Sequence, residues 1–534
     1  MIVGTMSVTR SDRPSPRRVT WLLLALAAVV PLMQLVALAL SPSDYTYFID
    51  EFYYIACSKH LALGYVDHPP LAPGLLAFTR LFLGDSLLGI RLLPFVAGGA
   101  TVWLTGRLVQ ELGGGRFAMV LATLAFGLSP VFIGMTGFFS MNAFEPLLWS
   151  ALMLTLVRLV KSGNSKLWLL VGVFMGLAFE NKHTIAAYIA ALGAGIVIAR
   201  MVGASRAEAD VSHAKTWNLR DRWFWAGMTA AVALAIPNLA WQVLNGWPSL
   251  EFYRNAQAMK NIPVGPLQSL VAQVLAMNPV TFPIWLAGLA FLLFARDGRS
   301  VRFAGLTFLA LLAMHVASRT SRPDRMLAAY PILMAAGGVA LERVLRGPGW
   351  RIAAGSMVAA SGLALSPMFV PLLPPPVEAR YVAFFNADIK AERGKTSPIP
   401  QLLADRTGWR SFLDDMSRVY HALPDADRRR AIIYVPDYGH AGALDLWGPR
   451  AGLPRVIASQ NTYWHWSDGR ASTDVLIAVG ARPGDLEKAY RQVVRVDTVQ
   501  CDYCMSWRSH MPVYVAKDPI VPLNDVWART RFYE

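Results

Sequence analysis

The sequence predicts an α-helical polytopic membrane protein with a soluble α/β domain at its C-terminal end, and three observations predict it. Of 534 residues, 54% are hydrophobic and only 16% charged, whereas a soluble chain is about 25% charged. The charge is unevenly spread: residues 1–376 hold 29 Lys and Arg against 16 Asp and Glu, while residues 377–534 hold 21 against 19. Long apolar runs recur through the first part and stop at Pro374-Pro375-Pro376. Such runs, about 20 residues each, cross a bilayer as helices because in hydrocarbon every backbone polar group must be satisfied within its own segment. This composition excludes a wholly soluble enzyme, a disordered chain and a disulfide scaffold.

Eleven candidate spans follow in order: 20–41, 87–106, 117–135, 143–159, 167–180, 184–199, 223–244, 267–295, 302–318, 326–342 and 351–373. The first follows a basic tail with Arg10, Arg13, Arg17 and Arg18. Ala37-Leu38-Ala39 imitates a cleavage site, but the apolar run is longer than a signal-peptide core, so an uncleaved anchor is expected. The fifth and sixth spans are short and joined by Glu180-Asn181-Lys182-His183. The stretch 70–83 is too short to span and is expected at the interface. With the N-terminus in the cytoplasm, the cytoplasmic segments hold 20 Lys and Arg and the opposite loops 8, so the positive-inside trend favours that orientation. The division expected is a cytoplasmic tail (1–19), a membrane domain (20–376) and an extracytoplasmic α/β domain (377–534). Most of the net charge of +15 is then a topology signal, which leaves nucleic acid out as a partner.

The outer loops carry the unusual residues. Apolar residues recur at helical spacing from Asp50 to Leu63, which predicts an amphipathic helix lying on the membrane surface. Asp50 and Glu51 fall in its first turn, either as a pair favoured by the helix dipole or as a general base or metal site at the mouth of the bundle. Asn142 and Glu145 open the fourth span, and Glu180, Lys182 and His183 lie at the fifth–sixth junction. Arg319, Arg322 and Arg325 flank Asp324 in an outer turn, against the positive-inside trend, and Arg91 sits five residues into the second span. Arginine's planar fork of donors suits phosphate oxygens. These cations therefore serve either a lipid-phosphate substrate or headgroup contacts and snorkelling.

The chain resembles the glycosyltransferase family 39-like membrane enzymes. These are relatives of protein O-mannosyltransferases and of the lipid A aminoarabinose transferase, and have the GT-C fold. The resemblance rests on Asp50-Glu51-Phe52-Tyr53-Tyr54, Gly64-Tyr65-Val66-Asp67-His68-Pro69-Pro70-Leu71, Ser140-Met141-Asn142-Ala143, Asn181-Lys182-His183-Thr184 and Ala328-Ala329-Tyr330-Pro331. It implies a bacterial inner-membrane enzyme that moves a sugar from a polyprenyl-phosphate donor to a hydroxyl of a lipid, glycan or protein outside the cytoplasm. By that likeness Asp50 matches the catalytic base and Glu51 would orient the acceptor or the base. Arg91, Lys182, Arg322 and Arg325 would hold the donor phosphate. Tyr54, Asp67, His68, Asn142, Glu145, His183 and Tyr330 would contact acceptor or sugar. Asp67-His68-Pro69 departs from the aminoarabinose transferase's Glu-Lys-Pro and lacks its lysine. His60, Asp67, His68 and His183 are candidate ligands for a divalent metal, since Asp and His are ordinary zinc ligands; no sequence spacing demands one.

In the C-terminal domain, 431–435, 475–480 and 513–516 read as buried strands, and 399–421 and 484–492 as helical. Tyr438-Gly439-His440-Ala441-Gly442-Ala443 follows a strand and is placed to open a helix. Asn461–Trp466 is aromatic and polar, suited to sugar stacking or to packing. Cys501-Asp502-Tyr503-Cys504 forms either a local disulfide or two free thiols. From another function class, a secondary transporter or lipid flippase would also use many helices and intramembrane charge. It predicts internal repeats with broken mid-membrane helices, and no repeat is evident.

Overall fold

The computed structural model describes residues 16–205, 218–385, 392–467 and 473–534. Residues 1–15, with Arg10 and Arg13, and 206–217 of the expected 200–222 cytoplasmic segment lie outside the described residues. The first part is helical: α1 (Pro16–Leu40), α2 (Ile49–Lys59), α3 (Leu71–Leu83), α4 (Leu87–Glu111), α5 (Arg116–Gly127), α6 (Pro130–Thr136), α7 (Met141–Ser162), α8 (Leu167–Asn181) and α9 (Ile185–Ser205). It continues with α10 (Arg222–Leu244), α11 (Pro248–Asn255), α12 (Pro266–Ala276), α13 (Phe282–Phe294), α14 (Arg302–Ala317), α15 (Tyr330–Val344) and α16 (Pro348–Leu365).

Among the described residues, seven helical segments are long and apolar enough to cross a membrane, or nine if two bent pairs each count as one span. The bent pairs are α5–α6, bent by 64°, and α12–α13, bent by 96°. They occupy the expected spans 117–135 and 267–295. A proline starts the second piece of each, Pro130 in α6 and Pro279 in the turn before α13. Proline has no N–H for the ladder and pushes the residue before it out of the helical region. Asn278, the residue before Pro279, sits at φ +75°. The expected span 167–180 is α8, of 15 residues, and 351–373 is reduced to α16, whose 18 residues run into a tight turn at Ser366–Met368. Helix α3 has 13 residues and exposes Phe78, Leu81 and Phe82.

The first outer stretch differs from its expected form. Helix α2 ends at Lys59 and does not lie on a surface, since every residue from Glu51 to Ser58 is buried. The physical reason is in its own sequence: Phe52-Tyr53-Tyr54-Ile55-Ala56 is apolar all round the helix, and such a helix needs cover on every side. One cover is the bundle. The other is the C-terminal part.

That part comprises α17 (Pro375–Phe384), α18 (Trp409–His421), α19 (Tyr438–Trp447), α20 (Thr462–Trp466), α21 (Pro483–Ala489) and α22 (Leu523–Thr530). They surround a five-stranded sheet of order β2-β1-β3-β5-β4, made of β1 (Ala431–Val435), β2 (Val456–Ala458), β3 (Val475–Val479), β4 (Tyr490–Val499) and β5 (Met511–Pro519). Strand β1 runs parallel to β2 and β3, and β5 antiparallel to β3 and β4. The expected strands are β1, β3 and β5. The expected helix 399–421 is divided by Gly408, at φ +78°, into a short turn and α18. The expected helix 484–492 stops at Ala489. From Tyr490 the chain is the edge strand β4, whose Arg491, Arg495 and Asp497 suit an edge open to solvent.

The two-residue period of the strands divides the sheet's side chains. Ile433, Val435, Val475, Ile477, Val479, Val513 and Val515 join one continuous core with Phe52, Trp409 and the bundle helices. Ile432, Leu476, Ala478 and Tyr514 form a separate cluster with Trp527. The module is thus packed onto the bundle through its own core rather than attached by a linker.

Candidate active site

A cavity of about 910 Å³ opens where α2, the helix ends of the bundle and the C-terminal module meet. One wall is acidic. Asp50, in the first turn of α2, lines the cavity, and its Oδ1 accepts a 2.9 Å hydrogen bond from the Tyr438 hydroxyl. Burial pushes the Asp50 carboxyl above the ordinary range; Lys260, the Tyr438 bond and Arg322 counteract this in part, and Asp67 adds to it. Asp67 also lines the cavity, and its Oδ1 accepts from the Tyr53 hydroxyl at 2.8 Å. Tyr53 is tied in turn to Thr462 at 2.7 Å. Tyr54 lines the cavity, and its oxygen accepts from the Met141 N–H at 3.2 Å.

The same cavity is also lined by cations. Lys182 donates to Asn142 at 2.8 Å and pairs with Glu145 at 2.9 Å. Asn142, Lys182 and His183 line the cavity; Glu145 is buried behind them and also accepts from Thr184. Arg322 bonds Asp324 at 3.3 Å. Arg325 lines the cavity, and its guanidinium has no ion-pair or hydrogen-bond partner among the described residues. Lys260, Arg322 and Lys395 gather on Glu392, at 3.3, 3.7 and 2.8 Å. Burial works to raise the Glu392 carboxyl, but these cations hold it down to about 2.

Several expected site residues stand elsewhere. Glu51 does not line the cavity: it is fully buried and accepts two bonds from Arg91, at 2.8 and 2.7 Å, and one each from the Phe139 and Phe48 N–H, at 3.0 and 2.8 Å. Burial works to raise its carboxyl, and Arg91 outweighs that and lowers it. Arg91 gives its remaining bond to the Thr46 carbonyl at 3.0 Å and has no face toward the cavity. Tyr330 donates to Gln273 at 3.0 Å beside a second, apolar cavity of about 270 Å³ lined by Phe282, Trp285 and Leu312. Arg319 is exposed and lies outside the cavity lining.

The metal candidates do not converge. His60 stacks on Trp466, with ring centroids 4.8 Å apart. His68 is buried, stacked on Tyr54 at 4.6 Å, with Nε2 3.7 Å from the Cys57 sulfur and 4.0 Å from Asp67. His183 lies between Tyr253 at 3.2 Å and Asn238 at 2.8 Å, and burial lowers its basicity. Among the described residues no three His, Cys, Asp or Glu side chains come together to hold an ion. The Asn461–Trp466 segment is largely packing: Thr462 and Tyr463 are buried and Tyr463 bonds Asp445 at 2.6 Å. Cys501 and Cys504 are free thiols.

Among the lining residues that the sequence did not mark as site members are Lys260, Glu392, Lys395 and Tyr438. Lys260 was visible only as one more outer cation. Tyr438 had a signal, since it opens the small-residue helix after a strand.

Residues 67–241 match the family model of dolichyl-phosphate-mannose-protein mannosyltransferases, about a third of the chain. A search of curated proteins by sequence finds no match. Among solved structures, ArnT from Cupriavidus metallidurans bound to undecaprenyl phosphate is 16% identical, with a TM-score of 0.58 over 94% of this chain and 98% of that one. The apo form of the same enzyme is 15% identical, with a TM-score of 0.56 over 93% and 97%. The mycobacterial arabinofuranosyltransferase AftD is 16% identical, with a TM-score of 0.50 over 96% of this chain and 40% of that one. The chain has the GT-C glycosyltransferase fold: a multi-pass helical membrane protein with a C-terminal α/β module.

Proposed function

We propose that the protein is an integral membrane glycosyltransferase that moves a sugar from a polyprenyl-phosphate donor to an acceptor hydroxyl. The observation that carries the reading is one cavity lined by a half-buried, singly bonded Asp50 together with Lys182, Lys260, Arg322 and Arg325. Asp50 takes the acceptor's proton as its oxygen attacks the anomeric carbon. The bond from that carbon to the phosphate oxygen breaks with inversion, and the polyprenyl phosphate leaves with the charge the cations neutralise. Arg325 is the cation free to take a phosphate oxygen, and Leu311, Met314 and Met326 give the first prenyl units an apolar lining. Asp67, Tyr54, Asn142 and His183 remain as contacts for sugar or acceptor. Glu51 and Arg91 act as scaffold, fixing the start of α2.

The excess of Lys and Arg on one set of loops, 20 against 8, supports a cytoplasmic N-terminus. Transfer would then occur on the outer face of a bacterial inner membrane. The purified protein in lipid, given polyprenyl-phosphate sugars and candidate acceptors, should transfer sugar, and Asp50→Asn should reduce the rate by about 10² to 10⁴ with the fold intact. Undiminished transfer by Asp50→Asn would overturn the assignment of the base.

A further inference from the structure

We propose that Tyr438 is a positioning residue for Asp50, so that the C-terminal module completes the catalytic site. The inference rests on the reading of Asp50 as base. Its ground is how closely α19 approaches α2. A Cβ on Gly439 would lie 2.3 Å from Ile49 Cγ1, and one on Gly442 would lie 2.8 Å from the Phe52 backbone. Only glycine at both positions, three apart on one helix face, lets the two helices meet at this distance.

The helix start is fixed independently. Asp437 Oδ1 caps α19 by accepting from the N–H groups of Gly439 and His440, at 2.9 and 3.0 Å. Its Oδ2 lies 2.5 Å from His440 Nδ1, and His440 is held between Trp409 and Phe412. The Tyr438 N–H donates to Gln460 at 3.1 Å, and its ring lies against Tyr53 at 4.8 Å. Backbone, ring and cap are all constrained, so the phenol is aimed at one carboxylate oxygen. Among the described residues, Asp50 Oδ2 has no hydrogen-bond partner and Asp50 lines the cavity. A base held by one oxygen presents the other in a fixed direction, and such preorganisation is what a proton transfer in flight requires.

The groups facing Asp50 come from every element around it: Tyr438 from α19, Asp67 and Tyr54 beside it, Lys260 after α11, Arg322 before α15, and Asp405 from the module. Of these, Tyr438 alone gives it a hydrogen bond among the described residues. Removing that bond leaves every charge in place.

Tyr438→Phe keeps the ring contact and removes the donor. Donated to a charged group, the bond is worth about a tenfold to hundredfold change, so kcat should fall by that factor. KM for the polyprenyl-phosphate donor should not change, because Tyr438 touches no cation. The acid limb of the pH–rate profile should move to higher pH, since the lost bond favoured the ionised carboxylate. Gly442→Ala, which shifts α19 and keeps the phenol, should move the same limb in the same direction, and it carries the test alone if Tyr438→Phe does not accumulate. A folded variant of either kind with wild-type kcat and an unmoved acid limb would overturn the proposal. Full activity in Asp50→Asn would instead overturn the base on which it rests.

Discussion

Asp50 and Glu51 are neighbours in the chain and belong to two opposite kinds of ionic region. Around Glu51 the region is closed: both oxygens are filled by Arg91 and two backbone N–H groups, and the pair is shut off from the cavity. Around Asp50 it is open: one oxygen is bonded, the Arg325 side chain is unpartnered among the described residues, and both line a cavity of about 910 Å³. Successive residues of a helix point about 100° apart, so a single step along α2 separates scaffold from chemistry. Charge at the functional end of a bundle therefore says little. Unfilled bonding capacity facing a cavity says more.

The largest test of this contrast is Arg91→Ala. It strands Glu51 in a buried position without its partner and should cost about 3–5 kcal/mol of stability, read as a large fall in Tm or loss of folded protein. Asp50→Asn should leave Tm near wild type while cutting the transfer rate by about 10² to 10⁴, and equal destabilisation by the two would erase the distinction.

Glu392 is the intermediate case, an internal anion among the open cations. Held at about 2 when folded against about 4.3 when unfolded, it contributes stability that is fully present above pH about 4.3. That contribution, up to about 3 kcal/mol, is lost as pH falls from there toward about 2. Glu392→Gln should flatten this part of the stability–pH curve, and a curve that keeps the wild-type slope would show that its cations pair elsewhere. The smallest effect belongs to Arg325→Ala, which breaks no internal bond. Tm should stay constant while affinity for polyprenyl phosphate falls about tenfold to a hundredfold, measured by binding to lipid of defined composition.

Much of this was legible in the chain. Apolar run length gave the helical class, strand-like runs gave the three central strands, and Asp50, Lys182, Arg322 and Arg325 stood out by their place in the loops. Three things were not legible, each for a physical reason. Glu51 and Arg91 are 40 residues apart, and nothing local says that they face each other rather than a substrate. The amphipathic reading of 50–63 assumed water on one side of α2, although five consecutive apolar residues argued for cover on both. Tyr438 reaches Asp50 across 388 residues, a juxtaposition that no periodicity encodes, although Gly439 and Gly442 hinted at close packing. The broken spans were readable in principle from Pro130 and Pro279.

The continuous core shared by the module and α2 has a consequence for the order of assembly. Helix α2 leaves the ribosome well before the residues that cover it, from Trp409 and Gly439 to Val515. Its aromatic surface must stay exposed or sheltered by chaperones while more than three hundred residues are inserted. Final docking is then a long-range closure, the slow and aggregation-exposed kind of folding step. The expected outcome is slow maturation, with α2 open to protease until β5 is in place, as pulse-chase proteolysis would read it.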